Sequence, residues 1–272
     1  MTFSLRPAKA VLVATFLVSS SGWAANALIV QDGTGGIEAD VMANLTSKLT
    51  ARGFTVSNIV VNPNGVPAAS LTGKQQVWDI RFDNPYALSA ADITTYVAYM
   101  AAGGSLFVMG ENSGFITRDN SIVALVTAAG GGTLTLAMPG QTETVNAPFT
   151  GPTSLSTITY LASDGAVAPP GTGSYVTHDA SNGGAAIVWG PGNMSHAATG
   201  SLIVVFDVNF LQTSADANSQ ALATNLVSYL ASPTPIVGTP GTPVPPSLLL
   251  ALLGGCGILA FEIRRRRKAP VA

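Results

Sequence analysis

Glu111, Asn112 and Ser113 stand inside a five-residue frame, Gly110-Glu111-Asn112-Ser113-Gly114, directly after the apolar run 105–109. A buried strand that turns sharply into a helix exposes one side chain at its apex. In hydrolytic α/β enzymes an elbow of the form G-x-(nucleophile)-x-G puts the attacking atom there. The apex here is Asn112, a carboxamide with no ionisable proton and little nucleophilicity. Ser113 carries a hydroxyl, but one residue past the apex, where a serine ordinarily caps a helix or closes a turn. To act as a nucleophile it needs a base. His178 and His196 are the only histidines, with Asp179 or Asp207 to orient one of them. Glu111 is the other candidate, as one carboxyl of an acidic pair.

Asp83, Asn84, Glu111, Asn112, Arg118, Asp119 and Asp207 all fall at or just after the ends of expected strands, the edge where open α/β sheets bind ligands. Together they can form a polar pocket for a sugar, glycan or peptide, with Tyr86, Phe115 or Phe210 as a stacking surface. The alternative is that these groups cap helices and close turns for one another. Asp32-Gly33-Thr34-Gly35-Gly36 looks like a phosphate-cradling loop, since amides at a helix start bind anions. It lacks the G-x-G-x-x-G spacing and a Walker lysine, so a turn without ligand is expected. Asp179-Ala180-Ser181-Asn182-Gly183 could offer oxygens to calcium, but without EF-hand spacing. Two histidines eighteen residues apart, with no nearby cysteine, are too few for zinc. No metal and no cofactor is expected.

The elements that must position these residues alternate. Residues 27–31 read as a buried strand. A helix over 37–52 follows, with Ile37, Val41, Leu45 and Leu49 four apart on one face and Gly53 closing it. Residues 54–61 and 77–82 are strands. Ser89 caps a helix carrying Ile93, Tyr96, Val97 and Met100 on one stripe. The strand 105–109, its elbow and a helix near 121–129 come next. This alternation predicts an α/β fold with a doubly wound, mostly parallel sheet. From 133 to 177 short alternating runs broken by Pro and Gly predict a β-rich insertion or an antiparallel sheet extension. Apolar runs return at 185–189 and 201–206, and a helix at 216–230 ends the domain, which spans 25–231.

The two ends differ from this body. Residues 1–24 combine Arg6 and Lys9 with an apolar run 10–18 and a small-residue exit, as a secretory signal peptide does. Residues 232–246 hold six prolines and form an extended linker of up to roughly 45 Å. Residues 247–263 are apolar but for Ser247 and Glu262 and, at ~1.5 Å per residue, reach about 25 Å, enough for a thin bilayer. Arg264, Arg265, Arg266, Arg267 and Lys268 then mark a cytoplasmic tail, 264–272. With these ends set aside, five of twelve basic residues but thirteen of fourteen acids remain, a net charge near −8. That excludes a nucleic-acid partner, predicts little affinity for anionic lipid, and suggests an acidic exterior. The single cysteine, Cys256, falls in the membrane segment, so the exported part has neither disulfide nor thiol chemistry.

Pro243-Val244-Pro245-Pro246, the apolar stretch and the arginine cluster resemble, in that order, the PEP-CTERM class of bacterial sorting signals, with Val244 where the best-known version has Glu. The resemblance implies an exosortase-type membrane protease as partner, insertion in the inner membrane with the domain outside, and passage to the Gram-negative cell surface or matrix. The body resembles the class I glutamine amidotransferase-like, flavodoxin-like fold. The matching pieces are the first strand with its glycine turn, the loop Asp83-Asn84-Pro85-Tyr86, the elbow and the strand end 205–211. Catalytic members keep Cys at the elbow and a His-x-Glu pair after a late strand. This chain has Asn112 and Asp207-Val208-Asn209 at those places, which implies the fold without the activity. The expectation is an exported, non-catalytic binding or structural domain, facing exopolysaccharide or another envelope polymer. The alternative is an envelope-polymer hydrolase or amidase using Ser113 or an acidic pair.

Overall fold

The computed structural model describes residues 25–231 apart from 34, 62–64, 168 and 182. The expected signal peptide, linker, membrane segment and tail lie outside the described residues, and among these no helix is long and apolar enough to cross a membrane.

The first half alternates as expected: β1 (Ala25–Gln31), α1 (Ile37–Ala51), β2 (Phe54–Val60), a short α2 (Ala68–Leu71), β3 (Gln76–Asp79), α3 (Ala90–Ala101), β4 (Ser105–Gly110) and α4 (Ile116–Ala129). The second half is built of short strands: β5 (Thr135–Leu136), β6 (Thr142–Val145), β7 (Thr157–Thr159), β8 (Ala166–Val167), β9 (Ser174–His178), β10 (Gly183–Gly184) and β11 (Ala186–Trp189). The longer β12 (Ser201–Phe206) and α5 (Ala217–Ala231) complete the domain.

A nine-stranded sheet runs in the order β2-β1-β3-β4-β12-β11-β9-β6-β7. Its first five strands are parallel, and the remaining pairings are antiparallel. Alternate residues of β1 serve opposite faces. Ala27 and Ile29 join Val41, Leu45 and Leu49 of α1 and Leu222 and Leu226 of α5, while Leu28 and Val30 join Tyr96 and Met100 of α3 and Ile122 and Leu125 of α4. Helices cover both faces, which is why the central strands are continuous apolar runs. The stretch 133–177 is largely an extension: β6, β7 and β9 continue the main sheet, while β5 and β8 form a small second sheet with β10.

Two boundaries differ by several residues from the sequence reading, each for a polar reason. The strand expected over 77–82 ends at Asp79, because its carboxylate accepts from the backbone N–H of Arg81 at 3.2 Å and from the guanidinium Nε at 2.9 Å, turning the chain. The helix expected near 121–129 begins five residues earlier. Asn84 supplies its cap from another loop, Oδ1 accepting from the N–H groups of Thr117 (2.9 Å) and Arg118 (3.3 Å). The short α2 was not expected at all. At the far end of α4, Gly130 (φ 81°) is left-handed and pressed by the segment at 195, where a Cβ would lie 2.1 Å from Ser195 Oγ. Only glycine fits both demands.

Candidate functional site

The strand order reverses at β1, between β2 and β3, so the edge beyond the C-terminal ends of β1, β3, β4 and β12 is where a ligand crevice is expected. The structure brings every predicted strand-end residue to this edge and joins most of them to one another.

At the elbow, Asn112 is an N-cap. Its Oδ1 accepts from Gly114 N–H at 3.0 Å, and its Nδ2 donates to Glu111 Oε1 at 2.9 Å. Glu111 Oε2 accepts from Val208 N–H at 2.6 Å, tying the elbow to the 3-10 turn after β12. Asn84 Nδ2 donates to Gly114 O at 2.9 Å, so with its capping bonds its side chain ties the elbow to the start of α4. Arg118 is fully buried, donating to Met109 O (3.0 Å) and Tyr86 O (3.0 Å), with Nη2 3.3 Å from Asp79 Oδ1. Arg81 binds the same carboxylate in bidentate fashion, and Tyr96 Oη donates to it at 2.9 Å. Burial works against ionisation of Asp79, but the two guanidiniums outweigh it and hold the carboxyl below its usual range.

Ser113 is exposed, and neither histidine serves it. His196 Nδ1 lies 2.9 Å from Ala128 O at the C-terminal end of α4, roughly 21 Å along a fourteen-residue helix whose start adjoins Ser113. His178 ends β9, three strands from β4, or about 14 Å. A serine–histidine arrangement is therefore not assembled. The expected stacking surface is also reduced: Phe210 is buried against Phe107 and Tyr160, and Phe115 packs edge-on to Phe82.

The glycine loop after β1 is filled from within. Glu38 accepts from the N–H groups of Asp32 (2.8 Å) and Gly33 (3.0 Å), so the chain's own carboxylate occupies the amides a phosphate would use. Burial, with Asp32 beside it, pushes Glu38 up to about 8. Asp179 is likewise committed, accepting from Gly140, Ser181 and Gly183 N–H groups. Among the described residues no cluster of three His, Cys, Asp or Glu is placed to hold a metal.

One feature no residue pattern announced is where the acid goes. Nine of the thirteen body acids are buried: Asp32, Glu38, Asp79, Asp92, Glu111, Asp119, Glu143, Asp164 and Asp207. The expected acidic exterior is thus largely an acidic interior. Burial, reinforced by Asp207, raises Glu111 to about 7. Burial, with Asp164 and Glu111 adding to it, raises Asp119 to about 8. Burial raises Asp207 as well, despite bonds from Leu161 N–H at 2.7 Å and Asn209 N–H at 2.7 Å.

Beside Asp207 the surface opens into a depression of about 320 Å³ between the end of β7 and the start of α5. Leu161, three-quarters exposed, Asn209, Gln212, Ser214 and Asp216 line it, and none of its lining residues is basic. The side chains of Gln212 and Ser214 make no hydrogen bond to any described residue. Sequence reasoning reached Asp207 and Phe210 but not this rim, whose residues are ordinary loop types with no spacing to flag them.

Fold and site together define a mixed α/β domain with a parallel core of order β2-β1-β3-β4-β12 and an antiparallel wing, its elbow closed by its own side chains. No protein-family model matches the chain, and no curated protein sequence does. Among solved structures it is similar to the mmIFT52 N-terminal domain, with a TM-score of 0.54 at 13% identity over 76% of this chain and 98% of that one. It is similar also to a putative ThuA-like protein from Bacteroides uniformis, with a TM-score of 0.53 at 12% identity over 78% and 93% of the two chains. At such identities the likeness is one of fold.

Proposed function

We propose that this chain is an exported, exosortase-sorted surface or matrix protein. In this reading its amidotransferase-like domain binds a hydroxyl-rich envelope polymer, such as an exopolysaccharide, without turning it over. The observation that carries the reading is the contrast between the elbow and the depression. At the elbow Asn112, Asn84 and Arg118 spend their hydrogen bonds on the protein, whereas at the depression Gln212 and Ser214 keep theirs and Leu161 offers an apolar face. Amides, hydroxyls and a carboxylate around an apolar patch suit a neutral sugar chain. The absence of basic residues from the rim disfavours a polyanion.

The test is binding and turnover on the same preparation. The full-length protein is titrated with neutral and anionic polysaccharides and assayed on ester, amide and glycoside substrates. Saturable binding of a neutral polymer, weakened at least about tenfold by Gln212→Ala with Ser214→Ala, supports the reading. Turnover abolished by Ser113→Ala or Glu111→Gln overturns it. Sorting is tested separately, by comparing the mass of the mature protein in cells with and without the exosortase. Loss of the arginine tail only where the enzyme is present is the expected result.

A second reading, hydrolysis by an acidic pair, draws on Glu111 and Asp207, two buried carboxyls that act on each other, the former held near neutrality.

A further inference from the structure

Around the elbow, four carboxyls from four segments share one buried region. Glu111 follows β4, Asp119 lies in α4, Asp164 precedes β8, and Asp207 follows β12. All are at most 3% exposed. Glu111, Asp119 and Asp207 are also the ties between segments. Glu111 N–H donates to Asp119 Oδ1 at 3.0 Å, Glu111 Oε2 accepts from Val208, and Asp207 Oδ2 accepts from Leu161. Asp119 Oδ2 is buried with no hydrogen-bond partner among the described residues, as is the neighbouring segment's Ser163 Oγ.

The charges facing this group are nearly all of its own sign. Asp207 acts on Glu111, while Asp164 and Glu111 act on Asp119. Asp207 in turn acts on Glu143, which also feels Asp179. Among the described residues Arg118 is the cation that reaches the group, and its hydrogen bonds and ion pair go to Met109 O, Tyr86 O and Asp79. Four carboxyls buried this deeply, beside an arginine whose bonds go elsewhere, cannot all ionise where they stand.

We propose that this cluster is a proton-held latch: while Glu111 and Asp119 keep their protons the elbow, residues 161–165 and the 3-10 turn 208–211 stay docked, and as the pH rises their ionisation releases the two outer segments from the elbow. The latch does not depend on what the domain binds or on how it is sorted. The direction follows from linkage. Both groups have folded-state pKa values raised above the ordinary carboxylate range, so docking is complete on the acid side and is lost as the pH climbs through about 7 to 8.

Amide hydrogen exchange on the full-length protein between pH 6 and 9, corrected for the intrinsic chemical rate, reads the latch directly. In the wild type, exchange in 161–165 and 208–211 should accelerate at least about tenfold over that range while β1 and β4 stay protected. Glu111→Gln and Asp119→Asn each keep an acceptor oxygen and lose the charge, and each should flatten the rise to under about threefold. An acceleration that persists unchanged in both variants overturns the proposal, as does its absence in the wild type. Should either variant fail to fold, carbon-13 titration of the wild-type side-chain carboxyls decides. Midpoints for two of the four groups above pH 6 support the latch, and midpoints all below 5 end it.

Discussion

Asn84 and Glu38 each replace something external with a side chain. Asn84 caps α4 from another loop and grips Gly114, so Asn84→Ala should lower stability by about 1 kcal/mol, the usual cost of a lost cap, measured by urea denaturation. The expected effect is on stability and on the order of the elbow, with β4 itself unchanged. Glu38 fills the amides after β1 with its own carboxylate, and its raised pKa fixes the sign of its pH dependence. Its contribution is present in acid and is lost as the pH rises from the ordinary carboxylate range through about 8. Stability measured across that range should therefore fall less steeply in Glu38→Gln than in the wild type. A parallel slope would show that Glu38 is ionised throughout.

Among the elements, α4 and β3 are held together by charge as well as by apolar packing. Asp79 neutralises Arg81 and Arg118 in the interior, so Asp79→Asn leaves two guanidiniums short of a partner and should cost about 3–5 kcal/mol in urea denaturation. These same contacts explain where the sequence could and could not be read. β1, β4 and β12 were legible because a strand buried on both faces is an unbroken apolar run, and glycines close the helices that lead into β2 and β4. The ends of β3 and the start of α4 were not, because an Asp–Arg turn and a cap donated from thirty-three residues away leave no periodic trace. Ile80 and Phe82 misled for a related reason: both are buried, and burial alone does not make a strand. The candidate site was half legible. The place of its residues at strand ends could be read, but whether they face a ligand or one another depends on pairings between distant segments. The rim formed by Gln212 and Ser214 had no signal at all.

Across the whole molecule, thirteen acids against five bases promised a charged surface, yet nine of those acids went inside with only two arginines beside them. The thermal midpoint of the protein should therefore be highest on the acid side of neutrality and fall between pH 6 and 9. Calorimetry across that interval checks it, and a flat or rising profile would contradict the burial pattern. The sheet order carries a different consequence. β12, drawn from residues 201–206, lies between β4 and β11, so the middle of the sheet is the last strand among the described residues. A fragment covering 25–200 should remain sensitive to protease and show no cooperative unfolding. Under the export proposed above, the chain passes lengthwise through a narrow channel before taking shape, and this order suits it. Its keystone stays behind until almost all of the thread has gone through, and nothing upstream can set hard and jam the passage.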